Sequence, residues 1–126
     1  MRPIVYDAGP LIAAERNDRR LWAAHRIRLE MGIVPLVPAP IVAQVSRSPK
    51  QVQLRRLLRG CEVIPLDESG AHRVGALMGQ AGTSDIADAA LVSVAVTRSA
   101  DIVTGDRADV QRLVSMSRHP LRILDV

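Results

Sequence analysis

Cysteine and aromatic residues are scarce in this sequence of 126 residues, which has one Cys, one Trp, one Tyr and no Phe. The lone Cys61 excludes an internal disulfide and a zinc site built from cysteines. We expect it to pack as a small hydrophobe in a strand. With only Tyr6 and Trp22 as aromatic side chains, a surface that stacks several nucleic-acid bases is also excluded.

Long apolar runs are missing as well. No stretch approaches the ~20 residues that span a bilayer, and the N-terminus lacks the long apolar core of a signal peptide. We therefore expect a cytoplasmic protein with no membrane partner. Hydrophobic residues still make up 48% of the chain, too many for a disordered protein. The length predicts one domain, residues 1–126, that buries roughly two-thirds of its unfolded surface.

The charge balance is basic, with 17 Lys and Arg against 13 Asp and Glu, and a pI near 10.5. Such a balance suits a polyanion such as nucleic acid. All the cations except Lys50 are arginine, however, which together with abundant Ala and Val is typical of a GC-rich coding sequence. The charge thus permits a nucleic-acid partner without identifying one.

Short β-prone runs alternate with helical patterns along the whole chain. The predicted strands are residues 4–6, 33–37, 61–65, 101–104 and 121–126. The predicted helices cover 10–15, a segment capped by Asn17 or Asp18, 41–45, 51–58, 68–81, a segment opened by Asp85, and 107–116. This alternation predicts parallel βαβ units, and hence an α/β fold: a three-layer α/β/α sandwich around a mostly parallel sheet of about five strands.

Acidic residues follow the predicted strands at the sheet's carboxyl edge. Asp7 ends the first strand and Asp106 follows the fourth, while Asp85 and Asp88 open the helix before it and share one helix face. Carboxylates that meet at one edge repel each other unless they are protonated or bridged by a cation. Such hard oxygen ligands suit Mg²⁺ or Mn²⁺, which activate water for attack on phosphate.

A purely structural interpretation competes with this one. Asp7 and Asp106 are good N-caps, and Asp85, Asp88 and Asp109 suit the first turn of a helix. Spacing alone leaves both interpretations open. The three histidines lack metal-ligand spacing, and we expect all of them to be structural.

Three motifs in order resemble PIN-domain ribonucleases. Residues 7–12 (Asp-Ala-Gly-Pro-Leu-Ile) resemble the family's opening, residues 84–91 its Asp-Ala helix, and residues 102–106 its fourth-strand Thr-x-Asp. The similarity runs from residue 3 to about 126, and the size is that of the VapC-type toxins of toxin–antitoxin pairs. The resemblance implies a metal-dependent endoribonuclease that cleaves structured RNA.

The resemblance also implies roles for particular residues. Asp7, Asp88 and Asp106 would be the ligands of Mg²⁺ or Mn²⁺, with Asp85 as a further catalytic candidate. Thr104 would orient a carboxylate by hydrogen bonding. The implied partners are the RNA substrate, a small antitoxin protein and a second copy of the chain.

One position departs from the family pattern. The family usually carries a Glu early in the helix after the second strand, where this chain has Gln44. A neutral amide can still support the site, and Glu15 and Asp85 are alternative sources of the missing charge. The alternative is a PIN-like protein with a weakened or lost active site that binds RNA or an antitoxin. A phosphoacceptor receiver domain is rejected, because Ala8 follows Asp7 and the only lysine is Lys50.

Overall fold

Five parallel strands form the sheet of the computed structural model, which describes residues 2–126. They are β1 (Ile4–Tyr6), β2 (Leu36–Pro38), β3 (Glu62–Ile64), β4 (Asp101–Thr104) and β5 (Ile123–Asp125). Their order in the sheet is β3-β2-β1-β4-β5, and every neighbouring pair is parallel. The predicted α/β class and the five-stranded sheet are confirmed.

Within the described residues, seven helices cover the two faces of this sheet. They are α1 (Ala8–Glu15), α2 (Arg19–Glu30), α3 (Ala39–Val45), α4 (Val52–Arg59), α5 (Glu68–Ala81), α6 (Ile86–Arg98) and α7 (Arg107–Ser117). Helix α1 packs against α2, α3 and α4, whereas α5, α6 and α7 pack against one another. Right-handed crossovers explain this division. The chain moves across the sheet from β1 to β3 in one direction and from β3 to β5 in the other, so the connecting helices lie on opposite faces. The result is the predicted three-layer sandwich.

The core is made of strand residues and of one helix that lies close to the sheet. Val5, Val37 and Ile102 are fully buried on the three central strands. Helix α6 contacts β1, β2 and β4 and buries the consecutive residues 89–92, Ala-Ala-Leu-Val. Its small alanines allow the helix backbone to approach the strands closely.

A buried polar cluster joins α2 to the sheet. The Tyr6 hydroxyl accepts a hydrogen bond from Arg28 Nη1 (3.1 Å) and lies 2.9 Å from His25 Nδ1. Burial, followed by the charge of Arg28, lowers the pKa of His25, which favours a neutral imidazole that accepts a hydrogen bond from the Tyr6 hydroxyl. Trp22 meets His25 edge-on, and the Arg56 guanidinium lies 4.5 Å from the Trp22 ring centre, which ties α2 to α4.

Several elements differ from the predicted bounds. Strand β2 begins at Leu36, because Ile33 instead donates its backbone N–H to Arg28 O and closes the end of α2. Helix α1 begins at Ala8 and includes Pro10, whose missing N–H costs nothing in a first turn. Cys61 lies directly before β3, and burial raises the pKa of its thiol to about 12. None of the helices in residues 2–126 has the length and apolar character needed to cross a membrane.

Helix α3 supplies a direct test of the core. Ile41 is fully buried on α3, whereas Ile27 on α2 is 55% exposed. We expect Ile41→Ala to lower the free energy of unfolding by about 2–5 kcal/mol, because it removes buried methyl groups and leaves a cavity. The matched Ile27→Ala should change it by only about 0.5 kcal/mol. Urea unfolding measures both, and equal losses would contradict this core assignment.

Candidate functional site

The neighbouring strands β1 and β4 mark the point where the sheet changes direction. From β1 the chain moves to β2, and from β4 it moves to β5, on the opposite side. In open α/β sheets, the crevice at such a switch point, beyond the carboxyl ends of the strands, is the usual ligand site. Asp7 directly follows β1 there, and Asp106 lies two residues after the end of β4.

The Asp7 carboxylate is held at both oxygens. Its Oδ2 accepts a hydrogen bond from Thr104 Oγ1 (2.6 Å), and its Oδ1 accepts one from the backbone N–H of Ala8 (2.7 Å). Asp7 is 6% exposed and Thr104 is fully buried. Asp7 is therefore the N-cap of α1, as expected if its role were purely structural. Its carboxylate nevertheless lies at the switch point.

Thr104 joins the two acids that follow the central strands. Its hydroxyl donates to Asp7 and accepts the backbone N–H of Asp106 (2.9 Å). The same oxygen takes part in both hydrogen bonds. Because it accepts one of them from Asp106, its own hydrogen is the one that points to Asp7. Asp106 occupies the N-cap position of α7, yet its side chain caps no amide among the described residues. Its exposed carboxylate is thus available at the edge.

A close contact between two glycines brings the Asp7 and Asp106 segments together. A Cβ added to Gly9 would lie 2.8 Å from Gly105 N and 3.2 Å from Gly105 Cα. Only hydrogen at position 9 allows the first turn of α1 to lie against the turn between β4 and α7. The sequence motif of residues 7–12 gave no signal of this contact.

Asp85 and Asp88 lie at the start of α6 on the same edge. Asp85 is the N-cap and accepts the backbone N–H of Asp88 (3.0 Å). Burial raises the pKa of Asp88 to about 7, and the charges of Asp85 and then Asp7, a hydrogen bond with Asp85 and the charge of Asp109 add to the effect. Asp109, predicted only as a first-turn acid of α7, therefore also contributes to the negative field at this edge.

Gln44 and Glu15 do not add a carboxylate to this group. Gln44 lies exposed near the end of α3, which packs between α1 and α6. The Glu15 carboxylate accepts the backbone N–H of Leu54 (2.7 Å) at the first turn of α4. That contact satisfies Glu15 at the far end of α1, about 12 Å along the helix from Asp7.

The acidic edge, defined as Asp7, Asp85, Asp88 and Asp106, has the donor chemistry of a Mg²⁺ or Mn²⁺ site. Its oxygens are hard donors. Burial, and then the charges of Asp85 and Asp7, raise the pKa of Asp88, and a bound cation would offset those charges. Within residues 2–126, no three His, Cys, Asp or Glu side chains are placed so as to enclose an ion. Mg²⁺ keeps several waters and is usually bound through one or two carboxylates, so hard oxygen donors of this kind suit it. The ligand roles remain predictions.

Two cavities of the molecule lie away from the acidic edge. A cleft of about 290 Å³ lies beside Pro38 and Arg73, and a groove of about 590 Å³ lies beside Trp22 and Arg56. Neither is lined by a residue of the acidic edge. At the acidic edge Asp7 is buried, Asp88 is half-buried, and Asp85 and Asp106 are exposed.

Comparisons with known proteins agree with this architecture. The family model described as PIN domain matches residues 4–114. No curated protein matches the chain.

Solved structures share the fold at low sequence identity. A VapBC2 complex from Rickettsia felis bound to a promoter DNA fragment matches with 16% identity and a TM-score of 0.71, covering 98% of each chain. A DNA-bound VapBC complex from Salmonella typhimurium matches with 16% identity and a TM-score of 0.69, over 99% of this chain and 98% of that one. A toxin–antitoxin complex from Klebsiella pneumoniae has 18% identity and a TM-score of 0.65, over 84% and 88%.

The raised pKa of Asp88 predicts how stability depends on pH in metal-free protein. Between its usual value of 3.8 and about 7, folded protein holds a proton that unfolded protein has lost. The free energy of unfolding therefore falls as pH rises through this window. We expect Asp88→Asn to be more stable than the parent at about pH 8, with the difference shrinking toward about pH 4. Urea unfolding with a chelator measures this, and a difference that grows toward low pH would contradict it.

Proposed function

Because the chain belongs to the PIN domain family, we propose that it is a metal-dependent endoribonuclease and the toxin of a toxin–antitoxin pair. The observation that carries the proposal is the gathering of carboxylates at the switch point, where the charges of Asp85 and Asp7 help raise the pKa of Asp88. The basic net charge of +4 suits an RNA substrate. The proposed substrate is a structured RNA.

In this proposal Asp7, Asp88 and Asp106 hold Mg²⁺ or Mn²⁺, directly or through water. When bound there, the ion supplies Lewis acidity that activates water and offsets charge on the phosphodiester. Thr104 keeps Asp7 in place by donating to Oδ2, so this carboxylate needs no rearrangement to bind. Asp85 stabilises the start of α6 and so positions Asp88.

The proposed partners follow from the family and its solved structures. The similar structures from Rickettsia felis, Salmonella typhimurium and Klebsiella pneumoniae are toxin–antitoxin complexes. We propose a small antitoxin protein and a second copy of this chain as partners, in the cytoplasm.

A second candidate function rests on Gln44. With an amide at this position, and no enclosed group of acids among residues 2–126, the site carries less charge than the family pattern supplies. A PIN-like protein that binds RNA or an antitoxin without cutting would need no metal. Cleavage by purified protein separates the two candidates.

The substitution Asp7→Asn tests the nuclease. The asparagine can keep the contact with Ala8 N–H but removes the charge, so cleavage of total RNA with Mg²⁺ or Mn²⁺ should fall by about 100-fold or more. The matched control is Glu68→Gln, which changes an exposed acid on α5 and should cut normally. Both need antitoxin-free protein, a chelator lane and a check of folding. Equal cleavage by Asp7→Asn would rule the mechanism out.

The substitution Gln44→Glu tests the departure from the family pattern. Restoring a carboxylate should tighten Mn²⁺ binding by about 10-fold, because each additional negative charge near the cation strengthens its attraction to the site. The same change at Gln53 on α4 serves as the control and should leave the affinity unchanged. Titration calorimetry measures both, and equal affinities of the Gln44 variant and the parent would mean that the missing acid lies elsewhere.

A further inference from the structure

Residues 31–61 form a long segment without a single acidic side chain. Glu30 precedes it and Glu62 follows it, and between them the chain carries five cations: Arg47, Lys50, Arg55, Arg56 and Arg59. The segment contains β2, α3 and α4. Its positive charge contrasts with the carboxylates of residues 85–109.

Three of these cations surround the loop between α3 and α4, residues 46–51. Arg47 Nη1 donates to Ala43 O (2.7 Å), at the end of α3. Arg55 donates from the following helix to Ser48 O (3.1 Å) and Pro49 O (3.2 Å). Lys50 is exposed within the loop. We call Arg47, Lys50 and Arg55 the basic cluster.

The side chain of Gln51 keeps this loop in one conformation. Its Oε1 accepts the backbone N–H groups of Arg47 (2.6 Å) and Ser48 (3.0 Å), and its Nε2 donates to Val45 O (3.0 Å). The Ser48 hydroxyl accepts the N–H of Lys50 (3.1 Å). A loop ordered before binding loses little conformational entropy when a ligand arrives.

The basic cluster has no internal counter-charge. Among residues 2–126, no ion pair with Asp or Glu includes Arg47, Lys50 or Arg55. The carbonyl contacts occupy only part of the five donors of each guanidinium. Arg47 and Lys50 lie in the loop and Arg55 contacts it from α4, so these like charges together attract an anionic ligand.

We propose that the basic cluster binds backbone phosphates of the RNA whose cleavage is assigned to the acidic edge. This inference rests on the proposed function. Helix α3 links the two surfaces, because it packs against α1 and α6, the helices capped by Asp7 and Asp85. It has seven residues, about 10 Å, so a short RNA segment spans it. Phosphate contacts of this kind set register and orientation without reading sequence.

An acidic protein segment is the competing ligand. A peptide usually gains affinity from apolar anchors that enter a pocket. The basic cluster lines neither the cleft beside Pro38 nor the groove beside Trp22. Charge without an adjoining apolar pocket favours phosphate.

The test compares RNA affinity in an Asp7→Asn background, which prevents cleavage. Fluorescence anisotropy follows two unrelated RNA hairpins from about 50 to about 300 mM salt. The neutral variant combines Arg47→Gln, Lys50→Gln and Arg55→Gln. It should bind both hairpins roughly 30-fold more weakly near 100 mM salt, with a salt slope smaller by about 2.

Two control variants separate charge from loop shape and from net charge. Arg47→Lys with Arg55→Lys keeps the charges but loses the guanidinium forks, and it should bind RNA within about 3-fold of the parent. The second control removes three cations from α5 and from the C-terminal part of α7, on the other face of the sheet, by combining Arg73→Gln, Arg112→Gln and Arg118→Gln. Its RNA affinity should fall by less than about 5-fold. Circular dichroism confirms that each variant is folded.

Each possible result supports or contradicts either the RNA-binding inference or the proposed function. Unchanged RNA affinity of the neutral variant, or an equal loss in either control, overturns the inference while leaving the nuclease in place. If the Asp7→Asn parent binds neither hairpin, the proposed function fails and takes this inference with it. If the neutral variant loses affinity only for a poly-glutamate peptide, the cluster is a protein-docking surface and the RNA assignment is wrong.

Discussion

The hydrogen bond from the Thr104 hydroxyl to Asp7 joins the two central strands at the edge where the acids meet. It is short and buried, and one of its partners is charged, which places it among the stronger hydrogen bonds in proteins. The same hydroxyl oxygen holds the backbone of Asp106, so one side chain sets two of the four acidic positions. The close approach of Gly9 to Gly105 lies just beyond the same pair of strands.

The acidic edge lowers the stability of the folded protein when Asp88 is charged. The raised pKa of Asp88 measures how strongly burial and the neighbouring carboxylates disfavour its charge. Proteins accept such local conflict mainly at functional sites and compensate for it elsewhere. Here the compensation is the closely packed layer of α6, whose buried residues 89–92 directly follow Asp88.

The sequence predicts the bounds of three elements correctly. Strands β1 and β4 and helix α5 have the predicted bounds, because their apolar or periodic patterns match their burial. The second strand was placed too early, since Ile33 and Val34 resemble strand residues although Val34 is 53% exposed.

The chemistry of the site was predictable only in part. The positions of the acids after β1 and β4 could be predicted, because the carboxyl ends of parallel strands meet at one edge of the sheet and because the motifs contain these acids. The approach of Gly9 to Gly105 depends on tertiary packing, and the Glu15 contact joins residues 39 positions apart. Local patterns carry no signal of either. The part played by Asp109 in the field around Asp88 depends on how α6 and α7 pack, which spacing does not disclose.

Trp22 gives the molecule a built-in optical reporter. It is the only tryptophan, it touches His25 through its ring edge, and the Arg56 guanidinium covers it from α4. Its emission therefore responds to the separation of α2 from α4 and to anything that enters the groove beside it. The acidic edge lies outside that groove. Tryptophan fluorescence thus distinguishes, without any attached dye, events at the groove from events at the carboxylates.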